Sequence, residues 1–302
     1  MIVSLHLPFL RLCEFWAELF DLWVILKISP VFPLLFSLNR VLPECVVSEK
    51  SRLETKSVVA LVLTFAAGYV DIVGYLSIYA RFTAHMTGAT VHLGNELFKR
   101  SWRDALFSFL VIAAFVLGSL TGRTVIEIGA RRKIRAIASW TLGLEAVLLA
   151  LVAAPFLQGG NIDPAARFPK LALAMLAGAM GLQTATITRV GGLTIHTTFV
   201  TGMLNKLSQL LSHILFETYD IAAGTAAAKR ERLSHRAKKL GEGAFIFSIW
   251  CLYLVGAVAG TGAQSKWHLR ALYAPAAIVC LAIVADQLRP LAVEEEKDVP
   301  ER

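Results

Sequence analysis

The chain has 302 residues, 56% of them hydrophobic and 17% charged, and a mean hydropathy of +0.61. A soluble domain is nearer half apolar and a quarter charged; the excess here lies in long runs, which excludes a disordered chain, a collagen-like chain and an ordinary cytosolic enzyme. The net charge of +8 comes from Lys and Arg clustered at the ends of those runs, the pattern of membrane topology rather than of nucleic-acid binding.

Residues 1–50 read as an N-terminal extension. The stretch 15–36 is hydrophobic but holds Glu18, Asp21, Lys27, Pro30 and Pro33 and has no small-residue cleavage site, so it makes a poor signal peptide. An interfacial helix and a start codon placed too far upstream are the two readings of it. Cys13, Cys45, Cys251 and Cys280 form no CxxC and have no metal spacing, so neither a disulfide framework nor a metal or cofactor site is expected.

Residues 51–290 read as a single transmembrane domain. A bilayer core needs about 20 predominantly apolar residues as a helix. Residues 57–79, 104–128, 135–157, 169–188 and 244–264 meet that length, and 270–288 meets it with Asp286 near its end. Two further segments are apolar but laden. Residues 82–98 carry His85, His92, Asn95 and Glu96, and residues 193–215 carry His196, Asn205, Lys206, Gln209 and His213. Such a load is not carried toward lipid, so both segments must face protein or water. The insertion 217–243 is basic and Ala-rich, and the tail 291–302 is acidic and solvated.

The chain repeats itself. Gly68-Tyr69-Val70-Asp71 and Phe82-Thr83-Ala84-His85-Met86-Thr87-Gly88 align with Gly181-Leu182-Gln183-Thr184 and His196-Thr197-Thr198-Phe199-Val200-Thr201-Gly202. A GxxxG helix follows in each half, at Gly118/Gly122 and at Gly256/Gly260. Two units, 57–157 and 168–288, each read as helix, polar segment, GxxxG helix, helix. GxxxG strips side chains from one helix stripe and lets backbones approach; the two motif helices are expected either to cross each other or to pack inside their own units. Three spans per unit invert the second unit against the first, whereas four make the units parallel. Keeping the Arg131–Arg135 cluster on the cytoplasmic side favours the former. The expected fold is therefore an all-α integral membrane protein with six transmembrane helices and two polar re-entrant or interior helical segments, built from two inverted repeats. Eight spans in parallel repeats are the alternative.

Asp71 lies two-thirds along the first helix and Glu145 midway along residues 135–157, depths at which a carboxyl group costs about 2.5 kcal/mol or more unless it faces a partner or water. Either acid binds a proton or locks helices together. Glu127, four residues after Arg123, reads as half of an intrahelical pair. Taken as one helix, residues 82–98 align His85, Gly88, His92 and Asn95/Glu96 in a polar stripe that suits a water-lined surface; His92 and Glu96 alone do not make a metal site. Thr87-Gly88 and Thr201-Gly202 read as bends in which hydroxyls meet freed backbone groups. Bends paired across inverted repeats are how many transporters build a midplane site, so the two are expected to approach each other.

At Gly68-Tyr69-Val70-Asp71 and His85-Met86-Thr87-Gly88-Ala89-Thr90-Val91 the chain resembles the YoaK-type family of bacterial multi-pass proteins, a family of unknown function. The resemblance runs from about residue 57 to 288 and includes Gly191-Gly192 and Thr201-Gly202. It departs at Ala89, where the family pattern implies Asn. It implies the bacterial inner membrane and brings no substrate, cofactor or reaction.

The leading reading is a transporter or channel for a small polar solute or ion, proton-coupled if the buried acids titrate, with both termini cytoplasmic. Asp71, His85, Thr87, Gly88, His92, Glu96, Glu145, His196, Thr201 and Gly202 are the pathway candidates. The bilayer, the solute and a second copy of the chain are the compatible partners; nucleic acid is not. A membrane-embedded enzyme using His85, His92 and Glu96 ranks lower because no nucleophile or metal signature accompanies them. A structural or partner-binding membrane protein is the third reading.

Overall fold

The computed structural model describes residues 49–78, 80–156, 168–190, 193–195, 197–223 and 226–291, all within one compact unit, Val47–Arg302. The readings of residues 1–48, of the tail beyond 291 and of His196 fall outside the described residues.

The described chain is helical apart from one short ladder. Helix α1 is Glu49–Ser77, α2 is Met86–Phe98, α3 is Trp102–Arg131 and α4 is Ala138–Ala153, which continues into a 3-10 turn at Ala154–Phe156. Helix α5 is Phe168–Thr186, and strands β1 (Arg189–Val190) and β2 (Leu193–Thr194) pair antiparallel after it. Helix α6 is Val200–Ala223 and α7 is Ala226–Trp267. A 3-10 turn, His268–Leu272, leads into α8, Tyr273–Leu288. Proline punctuates this order. Pro169 stands at the start of α5, Pro155 closes α4 and Pro290 follows α8, each where a missing N–H costs nothing or stops a helix.

Four stretches are long and apolar enough to cross a membrane: Leu53–Ser77, Trp102–Arg131, Ala138–Phe156 and the two-helix run Lys239–Leu288. The protein is a multi-pass membrane protein.

The glycine faces of the GxxxG helices meet neither each other nor a helix of their own unit. Each lies along the first helix of the opposite half: α3 on α5, and α7 on α1. A Cβ on Gly118 would strike the Gly178 carbonyl, and one on Gly181 the Phe115 carbonyl; likewise Gly256 abuts Phe65 and Gly68 abuts Tyr253. In lipid, where apolar burial between helices gains little, this backbone-to-backbone approach supplies the association through close packing.

Contacts along the seams fix helix directions. Phe65 opposes Gly256 and Ser77 meets Gln264, so α1 and α7 run parallel. Gly118 opposes Gly178 and Gly122 meets Ala185, so α3 and α5 do too. Asp286, near the end of α8, accepts the Ser139 N–H and hydroxyl at 2.7 Å each, capping the start of α4. Arg289 reaches Thr55, so α8 ends where α1 begins. The Thr141 and Thr186 hydroxyls meet at 2.9 Å, so α5 ends where α4 begins. Helices α1 and α5 consequently run in opposite senses. The centre is filled by Leu63, Leu142, Leu149, Leu173, Leu176 and Met180, all fully buried.

Both polar segments differ from continuous helices. The first turns helical only at Met86, and the second opens as the β1–β2 hairpin before α6 begins at Val200.

Candidate functional site

Asp71 explains why residues 80–85 are not helical. Its Oδ1 accepts the Thr83 N–H at 2.7 Å, the Thr83 hydroxyl at 2.8 Å and the Ala84 N–H at 3.1 Å. These backbone donors belong to a stretch that could satisfy them internally only as a helix, so the carboxylate takes the place of helical carbonyls. Ala80, at φ 49°, makes the left-handed turn that reverses the chain after α1. Asp71 lies six residues before the end of α1, about 9 Å down its axis. The chain therefore leaves α1, dips back along it to the level of Asp71, and climbs out again as α2.

The second carboxylate oxygen faces other groups. The Tyr253 hydroxyl of α7 donates to Oδ2 at 2.6 Å, and His85 Nδ1 lies 2.6 Å from the same atom. Asp71 is 2% exposed, whereas the His85 side chain is 38% exposed. His85 sits in the connection outside the membrane-crossing helices, and its contact with Asp71 raises its pKa above the ordinary imidazole value, against the smaller opposing effect of burial. Phe82 stacks on Tyr75 with centroids 4.6 Å apart and lies 4.7 Å from the His85 ring.

A second buried network sits at the far end of α2. Glu96 pairs with Arg81 and accepts the Ser108 hydroxyl at 2.5 Å, while Arg81 also donates to Ser108 at 2.5 Å. The Arg81 guanidinium lies 5.5 Å from the Phe107 ring centroid, and Lys170 lies 5.4 Å from it. Glu96 is thus turned toward α3, away from the exposed His92 and Asn95 with which the sequence grouped it. Both of its oxygens are occupied. Among the described residues no group of three His, Cys, Asp or Glu side chains is placed to hold a metal.

The turn after α5 is held by neutral side chains. Thr184 and Thr198 share a hydroxyl hydrogen bond at 2.6 Å, and Thr184 also donates to the Met180 carbonyl. The Lys206 ammonium donates to the Thr194 carbonyl at 2.5 Å, tying α6 to the hairpin. Gly88 and Gly202 lie in the first turns of α2 and α6. A Cβ on Gly88 would meet open space, whereas one on Gly202 would run into the Phe199 ring. Helix α2 packs on α3, and α6 on α7.

Glu145 stands apart. It is fully buried in α4, and neither carboxyl oxygen has a hydrogen-bond partner among the described residues. Glu127 is exposed and pairs with Arg131 at 2.9 Å.

Sequence reasoning found Asp71 and His85 but missed Tyr253, Thr83, Arg81 and Gln183. Tyr253 is 182 residues from Asp71, and its signal lay only in its place one turn before the second GxxxG. Arg81 was overlooked because the stripe was drawn on a helix that began after it.

The family model described as "Protein of unknown function (DUF1275)" matches residues 59–285. A relative, "UPF0700 transmembrane protein YoaK" of Bacillus subtilis (strain 168), is 27% identical over 154 residues, which is 51% of this chain and 66%, just under two thirds, of that protein. No solved structure matches. The chain belongs to the DUF1275 family.

Proposed function

We propose that this DUF1275 member is a transporter or channel for a small polar solute or ion in a bacterial inner membrane. One observation carries the reading. At the depth of Asp71, well inside the apolar length of α1, the chain abandons helix and presents a 38%-exposed imidazole beside a buried carboxylate. Non-helical backbone at membrane depth is tolerated only where it is enclosed by protein or lines water, and an exposed ionisable ring there calls for water. In this reading residues 80–85 and α2 form a re-entrant limb whose inner end meets an aqueous cleft.

An inverted repeat supports it. Exchanging the halves by 113 residues in the first helix and 138 in the GxxxG helix turns Gly68–Tyr253 into Gly181–Phe115, Phe65–Gly256 into Gly178–Gly118, and Ile72–Gly260 into Ala185–Gly122. The opposite senses of α1 and α5 fit three spans per unit: α1, α3 and α4, then α5, α7 and α8. Both termini and the 217–243 insertion then lie in the cytoplasm, and α6, like α2, does not cross.

The test uses purified full-length protein. A panel of metabolites and ions should contain a solute that raises its melting temperature. In a cysteine-free background, His85→Cys should react with a membrane-impermeant thiol reagent in intact cells or inverted vesicles. Absence of labelling from both sides, together with no stabilising solute, overturns the proposal. Once a solute is known, Asp71→Asn should fold, because its amide can accept from Thr83 and donate toward Tyr253, and should lower uptake at every pH by removing the charge beside His85.

A further inference from the structure

Glu145 and Gln183 are both wholly buried, and both have oxygen acceptors left without a donor. Their placement relates them. Thr141 and Thr186 join α4 to α5, and the two helices are antiparallel. One turn along α4 from Thr141 is Glu145; three residues back along α5 from Thr186 is Gln183. Each lies one turn from its threonine on the same helix face, so both belong to the α4–α5 seam at one level. Gln183 is held by its Nε2, which donates to the Leu63 carbonyl of α1 at 2.6 Å, so its Oε1 is the atom left over.

The seam therefore gathers three acceptor oxygens, none of which receives a donor among the described residues. An unpaired carboxylate there has the full cost of a buried charge, and one added proton removes it. The ionisable groups on the helices packed against α4 do not supply a counter-charge at this level. Asp286 is engaged at Ser139, and Arg270 donates to the Phe156 carbonyl at the other end of α4. Lys170 lies over Phe107, Glu127 and Arg131 pair on α3, and Cys280, level with Glu145 on α8, is exposed while Val279 and Ala282 are buried. Tyr273 lies near the opposite end of α8.

We infer that Glu145 is a proton-binding site, carrying one proton on its carboxyl group at neutral pH and donating it to Gln183 Oε1. Binding forms one O–H bond on a carboxylate oxygen; release returns that proton and restores the negative charge. One hydrogen bond then satisfies two of the three orphaned atoms, and only the carbonyl oxygen of the acid remains. Asp71 is the opposite case, since both of its oxygens are filled with donors. If the transport reading above holds, the coupled proton resides at Glu145 and not at Asp71.

The experiment is infrared spectroscopy of the full chain in lipid at neutral pH. Wild type should show the C=O stretch of a protonated carboxyl group, Glu145→Gln should lose it, and Gln183→Met should move it to higher frequency by removing its acceptor. No such band in wild type, or a band that survives Glu145→Gln, overturns the inference. If Glu145→Gln fails to fold, Gln183→Met decides, and an unmoved band overturns the pairing. A Glu145-dependent band in a protein that no solute stabilises keeps the proton site while removing the transport reading; a stabilising solute without the band does the reverse.

Discussion

After α1 the chain is caught by a carboxylate, and after α5 by a hydroxyl. Asp71 binds two backbone amides, two hydroxyls and an imidazole; Thr184 binds Thr198 and its own helix. The backbone has the same problem in both places, because donors freed where helix stops must find acceptors away from water. After α5 the answer is local and neutral: the Ile195 N–H finds the Thr188 carbonyl, and the Thr184–Thr198 hydroxyl pair ties the stretch to the helix. Aspartate solves it for a longer excursion, at the cost of a buried charge that then needs His85 and Tyr253. Charge has been placed in the limb after α1, which also carries the Arg81–Glu96 pair, and left out of the Thr184–Thr198 turn after α5.

Asp71→Ala should break this comparison most severely. It strands two amides and leaves His85 and Tyr253 without their acceptor, so a loss of about 3–5 kcal/mol is expected in denaturation in mild detergent. Thr184→Ala should cost about 1 kcal/mol in the same assay. Equal losses would mean the carboxylate does no more than the hydroxyl. Glu96→Ala leaves Arg81 with Ser108 and Phe107 alone; about 2–3 kcal/mol should be lost, with faster proteolysis of α2 before the rest of the chain. Tyr253→Phe removes one hydrogen bond to a charged group and should cost about 1.5 kcal/mol, read as a shift in the denaturation midpoint.

The smallest effect sharpens the comparison through pH. The pKa of His85 is raised in the folded protein, so its pairing stabilises fully below the unfolded value near 6.5 and fades as pH rises through the folded value. Wild type should therefore exceed His85→Gln in melting temperature at acid pH, and the difference should shrink steadily toward alkaline pH. A constant difference would show that the imidazole contributes packing alone.

The apolar runs were legible because a bilayer demands length, and Asp71 and Glu145 stood out because a charge in such a run is conspicuous. What each acid does was not legible. Asp71 is defined by Thr83, two turns of chain away after a reversal, and by Tyr253 on another helix; Glu145 is defined by lacking such neighbours. The polar stripe drawn on residues 82–98 assumed a helix that stops short of Met86, which concealed Arg81, and it is the pairing with Arg81 and Ser108 that buries Glu96 while His92 stays exposed. The GxxxG motifs announced close approach but not the partner, since a glycine stripe fits any helix that offers a bare backbone.

The glycine seams also bear on biogenesis. Helix α1 leaves the ribosome well over a hundred residues before α7, the helix that fills its glycine groove, whereas α3, ending at Arg131, waits only until α5 begins at Phe168. Neither half contains its own mate. During insertion the early helices stand in lipid with open backbone grooves, competent to accept a foreign small-residue helix, until the later ones arrive. A gene cut between Phe156 and Phe168 should yield two fragments that are each short-lived in the membrane and that rescue one another when made together.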